Sequence, residues 1–544
     1  MIIEPEIKQL LNERGIESEE DIQEFLSDRP RRTYDPFLLL NMEEGVDLIL
    51  SAIDADEKIC IYGDYDADGI TSVVIMLEVL SHLTRNLTYY IPSRFDEGYG
   101  LNRDAVDLIH RQGVGLIVTV DCGSVSCEEV AHAQELGMEV VVTDHHTVSD
   151  RIADCPVINP AQPDCTYPFP YLAGCGVAFK VCQAIISVTG LPKSILTRTL
   201  DMVAIGTIGD IVPLVDENRT LVKYGLRTIN TGERKNLRKL IEAVSLHPGK
   251  ITAENVSFVI VPHLNAAGRM EHARVAVDMI LSPKEELVDR NISRLCELNR
   301  KRRQMQEEIF QSCVRIIEEE CRDDRFLFIR LPEAHEGITG IAAGKIKEQY
   351  YRPTIIVTDS EEGLCKGTGR SIEGINIYEV LKESDDLFER FGGHKAACGF
   401  MIAEENVETL RKRLQKQMEP LDEAVFQREI RPDLTLSGDR ITFELADQLA
   451  MLEPCGAGNP KPKIAVSASA DELFRMGAAG KFLRFNAWMD GGGKLPCVVF
   501  HDADRIEAQL FGRDEHLVIG RLGINEWNGR RTLQMVVDVI KEKE

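Results

Sequence analysis

No stretch of this 544-residue chain approaches the apolar length needed to cross a bilayer. The first ten residues, MIIEPEIKQL, have neither a basic n-region nor an apolar core, so no signal peptide is expected and the cytoplasm is the expected location. C-x-x-C pairs are also missing. The 14 cysteines lie scattered, which argues against a zinc ribbon and for reduced, mostly buried thiols in a cytosolic setting. Positive charge is short: 63 Lys and Arg face 89 Asp and Glu, a formal net charge of −26. Such a balance disfavours a non-specific nucleic-acid coat. A polyanionic substrate would need a local groove of Lys and Arg, or bound metal ions.

What is present is a chain too long for one core, with about two to four domains as the starting expectation and a hydrophobic content of 44%, that of an ordinary globular protein. It is organised around GDYDADGIT, Gly63 to Thr71. The apolar run Ile59 to Tyr62 reads as a buried strand, and Ile70 to Leu83 reads as a helix opened by Gly69. Asp64, Asp66 and Asp68 then sit at alternate positions on a strand-to-helix turn. Carboxylates this close repel one another unless a cation neutralises them, and hard divalent cations are the natural partners. A solvated acidic turn is the alternative.

Two further runs shift the balance toward a metal site. From about 46 to 230, strand and helix patterns alternate, which implies a parallel sheet covered by helices. Leu116 to Val120 leads to Asp121, and Val140 to Val142 leads to Asp144-His145-His146. Ligand crevices in such sheets lie at the carboxyl ends of the strands. Asp210, after the apolar segment AIGTIG, is a fourth acidic candidate. The set predicts a two-metal site, with Asp121 as the natural bridging carboxylate and Mn²⁺ or Mg²⁺ as the ions.

Residues 1–45 read as a lead-in, with one amphipathic helix over Ile16 to Leu26 and no chemistry. Residues 231–323 read as helical; they include VPHLNAAGRM, with Arg269 expected on a Gly-rich turn, and one long helix over 284–323. Arg300 to Arg303 within it form a charge run, read as a wet face or a nucleic-acid path. A smaller α/β unit spans 324–420, where GTGRS (367–371) and FGGHKAACG (391–399) are expected to be turns whose backbone N–H groups cradle an anion, with Arg370 and His394 adding charge. From about 425 to 544, short strands punctuated by Gly, Asn and aromatics suggest a β-barrel of the oligonucleotide-binding (OB) type. Phe482, Phe485, Trp488 and Trp527, near Lys481, Arg484 and Arg530, would suit base stacking, with at least half of the four expected to fill the barrel instead.

These segments together resemble the DHH phosphoesterase superfamily and, within it, the single-strand-specific exonuclease family RecJ. The likeness rests on GDYDADGITS, RFDEGYGLN, VDCGS, VTDHH, GTIGD, LNAAGRM, GRSIEG, GGHKAACGF, EPCGAGNPKP and INEWNGRRTLQ, spread over nearly the whole chain. The resemblance implies a DHH domain joined by a long helix to a DHHA1 domain, plus an OB-fold domain. It implies 5′-to-3′ degradation of single-stranded DNA with Mn²⁺ or Mg²⁺, in recombination and repair. It implies metal ligands at Asp66, Asp68, Asp121, His145 and Asp210, with Asp64 in the cluster, and His146 at the scissile phosphate. Arg269, Thr368, Arg370, Gly393 and His394 would hold the terminal phosphate. The expected form is a monomer acting on single-stranded DNA away from membranes, with a single-strand-binding protein and a helicase as further partners. His263, Ala334 and Cys455 depart from the family pattern at positions tied to substrate grip. Two alternatives stay open on the residues alone: a hydrolase of short oligoribonucleotides or cyclic dinucleotides, and a non-catalytic scaffold of the same fold.

Overall fold

The three central strands of the chain's first sheet, Lys58–Tyr62, Val114–Val120 and Glu139–Thr143, are buried on both faces along most of their length, the pattern of a parallel sheet covered on both sides. The computed structural model describes residues 2–95, 97–148, 151–360, 363–477, 480–510 and 515–542. They form two units: one comprises Met1–Leu264, Ala276–Ile292 and Ile430–Glu544, the other Asn265–Val275 and Ser293–Glu429.

In the first unit, five parallel strands run in the order Leu87–Tyr90, Lys58–Tyr62, Val114–Val120, Glu139–Thr143, Val157–Ile158. Ile61 is in register with Val118, and Val118 with Val141, so the three central strands end side by side. Their carboxyl ends lead directly to Asp64, Asp121 and Asp144.

The same unit holds the barrel. Strands Ile464–Met476, Phe482–Met489, Lys494–Val499, Arg530–Glu542 and His516–Trp527 pair in that order, and the last returns to the first, closing the ring. A closed sheet leaves no open edge. Phe485 is fully buried in its core, whereas Trp488 and Trp527 are exposed. Residues 1–45 are more than a lead-in. Helices Pro5–Glu13 and Glu19–Leu26 place Ile7, Leu10, Leu11 and Phe25 in one apolar core with Leu483, Phe485 and Val518 of the barrel. The second helix starts at Glu19 rather than Ile16, because the Ser18 side chain accepts the Asp21 N–H and caps it.

In the second unit, strands run in the order Leu327–Arg330, Thr354–Asp359, Leu364–Arg370, Ala397–Ala403, Phe388–His394. Phe326, Ile355, Phe400 and Leu410 lie in its core. The long helix is present over Glu285–Ile316, ending in a wider turn at Ile317–Cys321. Within it Arg302 directs its guanidinium to Asn299 at 3.0 Å and Gln306 at 3.1 Å, neighbours on its own helix.

The two expected turns are mostly strand. GTGRS lies in Leu364–Arg370 up to its last residue, and FGGHKAACG forms the hairpin Phe388–His394 with Ala397–Ala403, whose turn is Lys395-Ala396 and whose glycines lie in the strands. The glycines are there for packing across the sheet. A Cβ on Gly367 would stand 2.0 Å from the Phe400 ring, and one on Gly369 would stand 2.5 Å from Cys398 Sγ. Arg269 is likewise not on a turn; it occupies the last turn of the helix Val261–Met270.

Candidate active site

The first acidic run lies where the strand Lys58–Tyr62 hands over to the helix Ala67–Leu80. Asp66 caps that helix, its Oδ1 accepting the N–H groups of Asp68 at 2.9 Å and Gly69 at 3.1 Å. Gly69 is required by a close approach, since a Cβ there would fall 2.5 Å from the Asp64 carbonyl oxygen. Asp68 is not a turn residue as the spacing suggested, but a buried member of the first helical turn. Its Oδ2 accepts from Gly174 N at 2.7 Å and its Oδ1 from Cys175 N at 2.8 Å. Those residues open the helix Gly174–Thr189, whose unpaired N–H groups and positive dipole end favour a carboxylate.

Asp121 follows the strand Val114–Val120 in a left-handed backbone conformation, φ 63°. Its N–H bonds to the Thr143 carbonyl at 3.0 Å, tying it to the neighbouring strand end. Asp144 follows that neighbouring strand and acts differently from the other carboxylates. Its Oδ1 accepts from His145 N at 2.8 Å, His146 N at 3.2 Å and His146 Nδ1 at 2.8 Å, while Oδ2 accepts from Ser124 N at 3.0 Å. Asp144 therefore orients the His146 ring and holds the backbone of both histidines. Asn159 supports the same loop by donating to Ser124 Oγ and to the His146 carbonyl, both at 2.9 Å. Asp210 arrives from a helix, Leu200–Gly209, which it terminates.

The side chains converge. His145 Nε2 lies 3.1 Å from Asp121 Oδ1, 3.6 Å from Asp210 Oδ2 and 3.8 Å from Asp68 Oδ2. Ligand-type atoms fall in three sets within 4.8 Å: Asp64, Asp66 and Asp121; Asp121, His145 and His146; Asp68, His145 and Asp210. Asp121 belongs to two of them, as a bridging group would.

Asp64 Oδ1, Asp121 Oδ1 and His145 Nε2 are buried without a hydrogen-bond partner. Buried polar atoms are normally satisfied, and unpaired buried charge is costly. Burial first, then the neighbouring Asp66, pushes the Asp64 carboxyl well above the usual range. Burial and the charges of Asp68, Asp66, Asp64 and Asp210 do the same to Asp121. Asp210 is pushed up to about 8 by burial and by Asp68 and Asp66. Burial lowers His145 and keeps its imidazole neutral, the form that binds a metal. Burial would also lower His146, but its hydrogen bond to Asp144 and that residue's charge outweigh it, and His146 is pushed up to about 9. Buried carboxylates whose ionisation is opposed by burial and by one another's charge, with an unpartnered imidazole among them, fit one or two hard divalent cations that would neutralise them.

Tyr99 was not expected from the sequence. Its hydroxyl donates to the Asp121 carbonyl at 3.2 Å and faces His146 Nδ1 at 3.0 Å. Gly174 and Gly206 also escaped notice. A Cβ on Gly174 would stand 2.6 Å from Asp121 Oδ1, and one on Gly206 would stand 2.6 Å from Asp68 Oδ1. Only a close approach in the folded chain calls for glycine at either place.

The five residues expected to hold a phosphate lie in the second unit. Arg269 Nη1 donates to the Gly337 carbonyl at 3.1 Å, at the start of the helix Glu336–Tyr350. Thr368 Oγ1 lies 3.4 Å from Thr339 Oγ1, and a Cβ on Gly340 would stand 2.9 Å from Arg370 Nη2. Arg269, Thr368 and Arg370 thus gather at the first turns of one helix, whose N-terminal N–H groups suit an anion. Arg370 and His394 both pair with Ala397, one from each side, and so share one face of the sheet. Gly393 precedes His394 on the exposed edge strand, with a backbone φ of 152°.

Family models match the chain in three places: the DHH family N-terminal domain over residues 58–207, the DHHA1 domain over 323–419 and the RecJ OB domain over 432–538. The single-stranded-DNA-specific exonuclease RecJ of Bacillus subtilis strain 168 is 36% identical, covering 98% of this chain and 68% of that protein. Its namesake from Escherichia coli K12 is 32% identical and covers 98% and 96%. The crystal structure of RecJ in complex with Mn²⁺ from Thermus thermophilus superposes with a TM-score of 0.85 at 30% identity, covering all of this chain and 76% of that one. Three domain matches in one order, and about a third of positions shared from end to end, leave one conclusion: this chain belongs to the RecJ family of DHH phosphoesterases.

Proposed function

We propose that this chain is a divalent-metal-dependent exonuclease that hydrolyses single-stranded DNA from 5′ to 3′, in recombination and repair. The observation that carries the reading is the trio of buried, unpartnered donors, Asp64 Oδ1, Asp121 Oδ1 and His145 Nε2, at the carboxyl ends of a parallel sheet. Two Mn²⁺ or Mg²⁺ ions bound there supply an activated water and neutralise charge during in-line displacement at phosphorus. Asp66, Asp68, Asp121, His145 and Asp210 hold the ions, and Asp64 completes the acidic cluster. His146, kept protonated by Asp144, donates to an oxygen of the scissile phosphate. Arg269, Thr368, Arg370, Gly393 and His394 hold the terminal phosphate.

The division of labour follows the boundaries read from the sequence. Residues 46–230 do the chemistry, 231–323 connect, 324–420 grip the phosphate and 425–544 hold the strand. In the barrel, Trp488 and Trp527 are exposed for base stacking, with Lys494 5.4 Å from the Trp488 ring centre. Among the described residues no helix is long and apolar enough to cross a membrane. We place the enzyme in the cytoplasm as a monomer, working with a single-strand-binding protein and a helicase. Product analysis on 5′- and 3′-labelled single strands with Mn²⁺ tests the reading, with duplex and RNA as controls. Mononucleotides released first from the 5′ end support it; preference for dinucleotides or short RNA overturns it.

A further inference from the structure

Arg219 is almost fully buried in the helix Asp216–Thr231, and all five of its N–H donors go to backbone carbonyls. Nε bonds to Phe25 O at 3.1 Å; Nη1 to Leu452 O at 2.9 Å and Pro454 O at 3.2 Å; Nη2 to Met451 O at 3.1 Å and Glu453 O at 3.0 Å. The Phe25 ring lies 3.9 Å from the guanidinium. Four of the carbonyls follow the helix Phe443–Ala450, whose negative dipole end suits a cation. One side chain thus gathers the end of the N-terminal helix pair and the turn that leads into the barrel.

That turn, residues 451–460, then reaches the metal-bearing loop. Ala457 O accepts from Leu214 N at 2.8 Å. Gly458, at φ 68°, is so close that a Cβ would stand 2.9 Å from Pro213 Cβ. Buried Asn459 braces the turn from inside, donating to Leu452 O at 2.8 Å and Pro454 O at 2.9 Å. Pro213 and Leu214 stand three and four residues after Asp210. Between them and Asp210 lies Ile211, a β-branched residue at φ 61° and 71% exposed. Such a backbone persists only where its surroundings hold it. From the other side, Asn218 Nδ2 donates to Pro213 O at 3.1 Å and Tyr171 O at 2.7 Å.

We infer that Arg219 is a positioning residue for the metal ligand Asp210, acting through the 451–460 turn clamped onto Pro213 and Leu214. The barrel's anchorage and the geometry of the metal site are then one mechanical unit, and loosening the turn lets Asp210 swing away from His145. The inference rests on the metal-site reading above and adds a supporting residue outside the ligand set. Groups bonded directly to metal ligands tune affinity by about 10- to 100-fold; Arg219 acts from further out, so an effect near the lower end of that range is expected.

The test compares Mn²⁺ binding, by calorimetry and by the rise in melting temperature on adding Mn²⁺, in the parent full-length chain, Arg219→Lys and Gly458→Ala. Lys keeps the charge but offers three donors where the guanidinium offers five. Gly458→Ala leaves Arg219 intact and crowds Pro213. Both variants should weaken Mn²⁺ binding about tenfold or more, and cleavage of an oligonucleotide a few nucleotides long should recover at saturating Mn²⁺. Mn²⁺ affinity within twofold of the parent in both variants overturns the inference, even where long-strand binding falls. The parent's own Mn²⁺ affinity and cleavage judge the metal-site reading separately, because the inference is read from the variant-to-parent ratio.

Discussion

Replacing Asp144 with Asn isolates the residue that carries no metal in our reading yet controls a catalytic group. Its carboxylate accepts four hydrogen bonds, three at Oδ1 and one at Oδ2. An Asn carbonyl in the Oδ1 place keeps three of them, while its amide faces the Ser124 N–H donor to donor, at a cost of about 1–3 kcal/mol. The larger consequence is electrical. His146 stands at about 9 against an ordinary 6.5, despite burial, because of Asp144. That difference corresponds to about 3.4 kcal/mol at 1.36 kcal/mol per pH unit. With 40% of the His146 side chain exposed, solvent screening reduces the expected share to about 1–2 kcal/mol. The sign follows from the direction. A histidine raised on folding adds stability that is fully present below about 6.5 and is lost as pH rises through about 9. Asp144 itself is held below the usual carboxylate range, since its bond and charge pairing with His146 outweigh burial. Its contribution is lost only in acid. In Asp144→Asn the His146 resonance, followed by NMR in metal-free protein, should titrate at or below about 6.5. At pH 7.5 the protonated fraction then drops from about 97% to about a tenth, and kcat with Mn²⁺ should fall about tenfold if the imidazolium donates to the phosphate. A His146 titration that stays near that of the parent refutes the reasoning, as does an unchanged alkaline limb in the kcat profile.

Asp121→Asn should abolish Mn²⁺-dependent cleavage while raising the metal-free melting temperature, because it removes a buried carboxyl pressed by four others; a rate loss under tenfold, about 1.4 kcal/mol, contradicts the bridging role. Asp210, at about 8 when folded against 3.8 otherwise, binds a proton that the unfolded chain has lost, so metal-free stability should fall as pH rises from about 4 to about 8. Thermal melts in chelator should show this slope flattened in Asp210→Asn. Gly174→Ala sets a methyl 2.6 Å from Asp121 Oδ1 and should weaken Mn²⁺ binding measured by calorimetry, even though alanine favours a helix more than glycine does. In the barrel, Phe485→Ala should cost about 3–5 kcal/mol in denaturant melts, whereas Trp488→Ala and Trp527→Ala should leave stability nearly unchanged. Each Trp loss should weaken single-strand binding by about 1–3 kcal/mol, and equal effects on stability from all three changes would contradict the assignment.

Local signals were enough to read the three strand ends. An apolar run of four or five residues can bury both faces only inside a covered sheet, and an Asp at its end must then stand at the sheet's carboxyl edge. Asp64, Asp121 and the Asp144-His145-His146 run are legible for that reason, and so is the need for a cation among them. Other features depend on neighbours far away in the chain. Gly367 and Gly369 look like turn residues because glycine permits any backbone, but Phe400 and Cys398 pressing across a strand are what demand them. The apolar face of residues 5–26 announces burial without naming its partner, which is a barrel more than 400 residues later. Asp144 differs from Asp121 by no sequence mark; the N–H groups of Ser124, His145 and His146 converge on one and leave an oxygen of the other bare. Spacing along the chain thus determined which carboxylates reach the crevice. Which of them keeps an oxygen bare, as Asp64 and Asp121 do and Asp144 does not, was decided by hydrogen bonds that only the folded chain brings together.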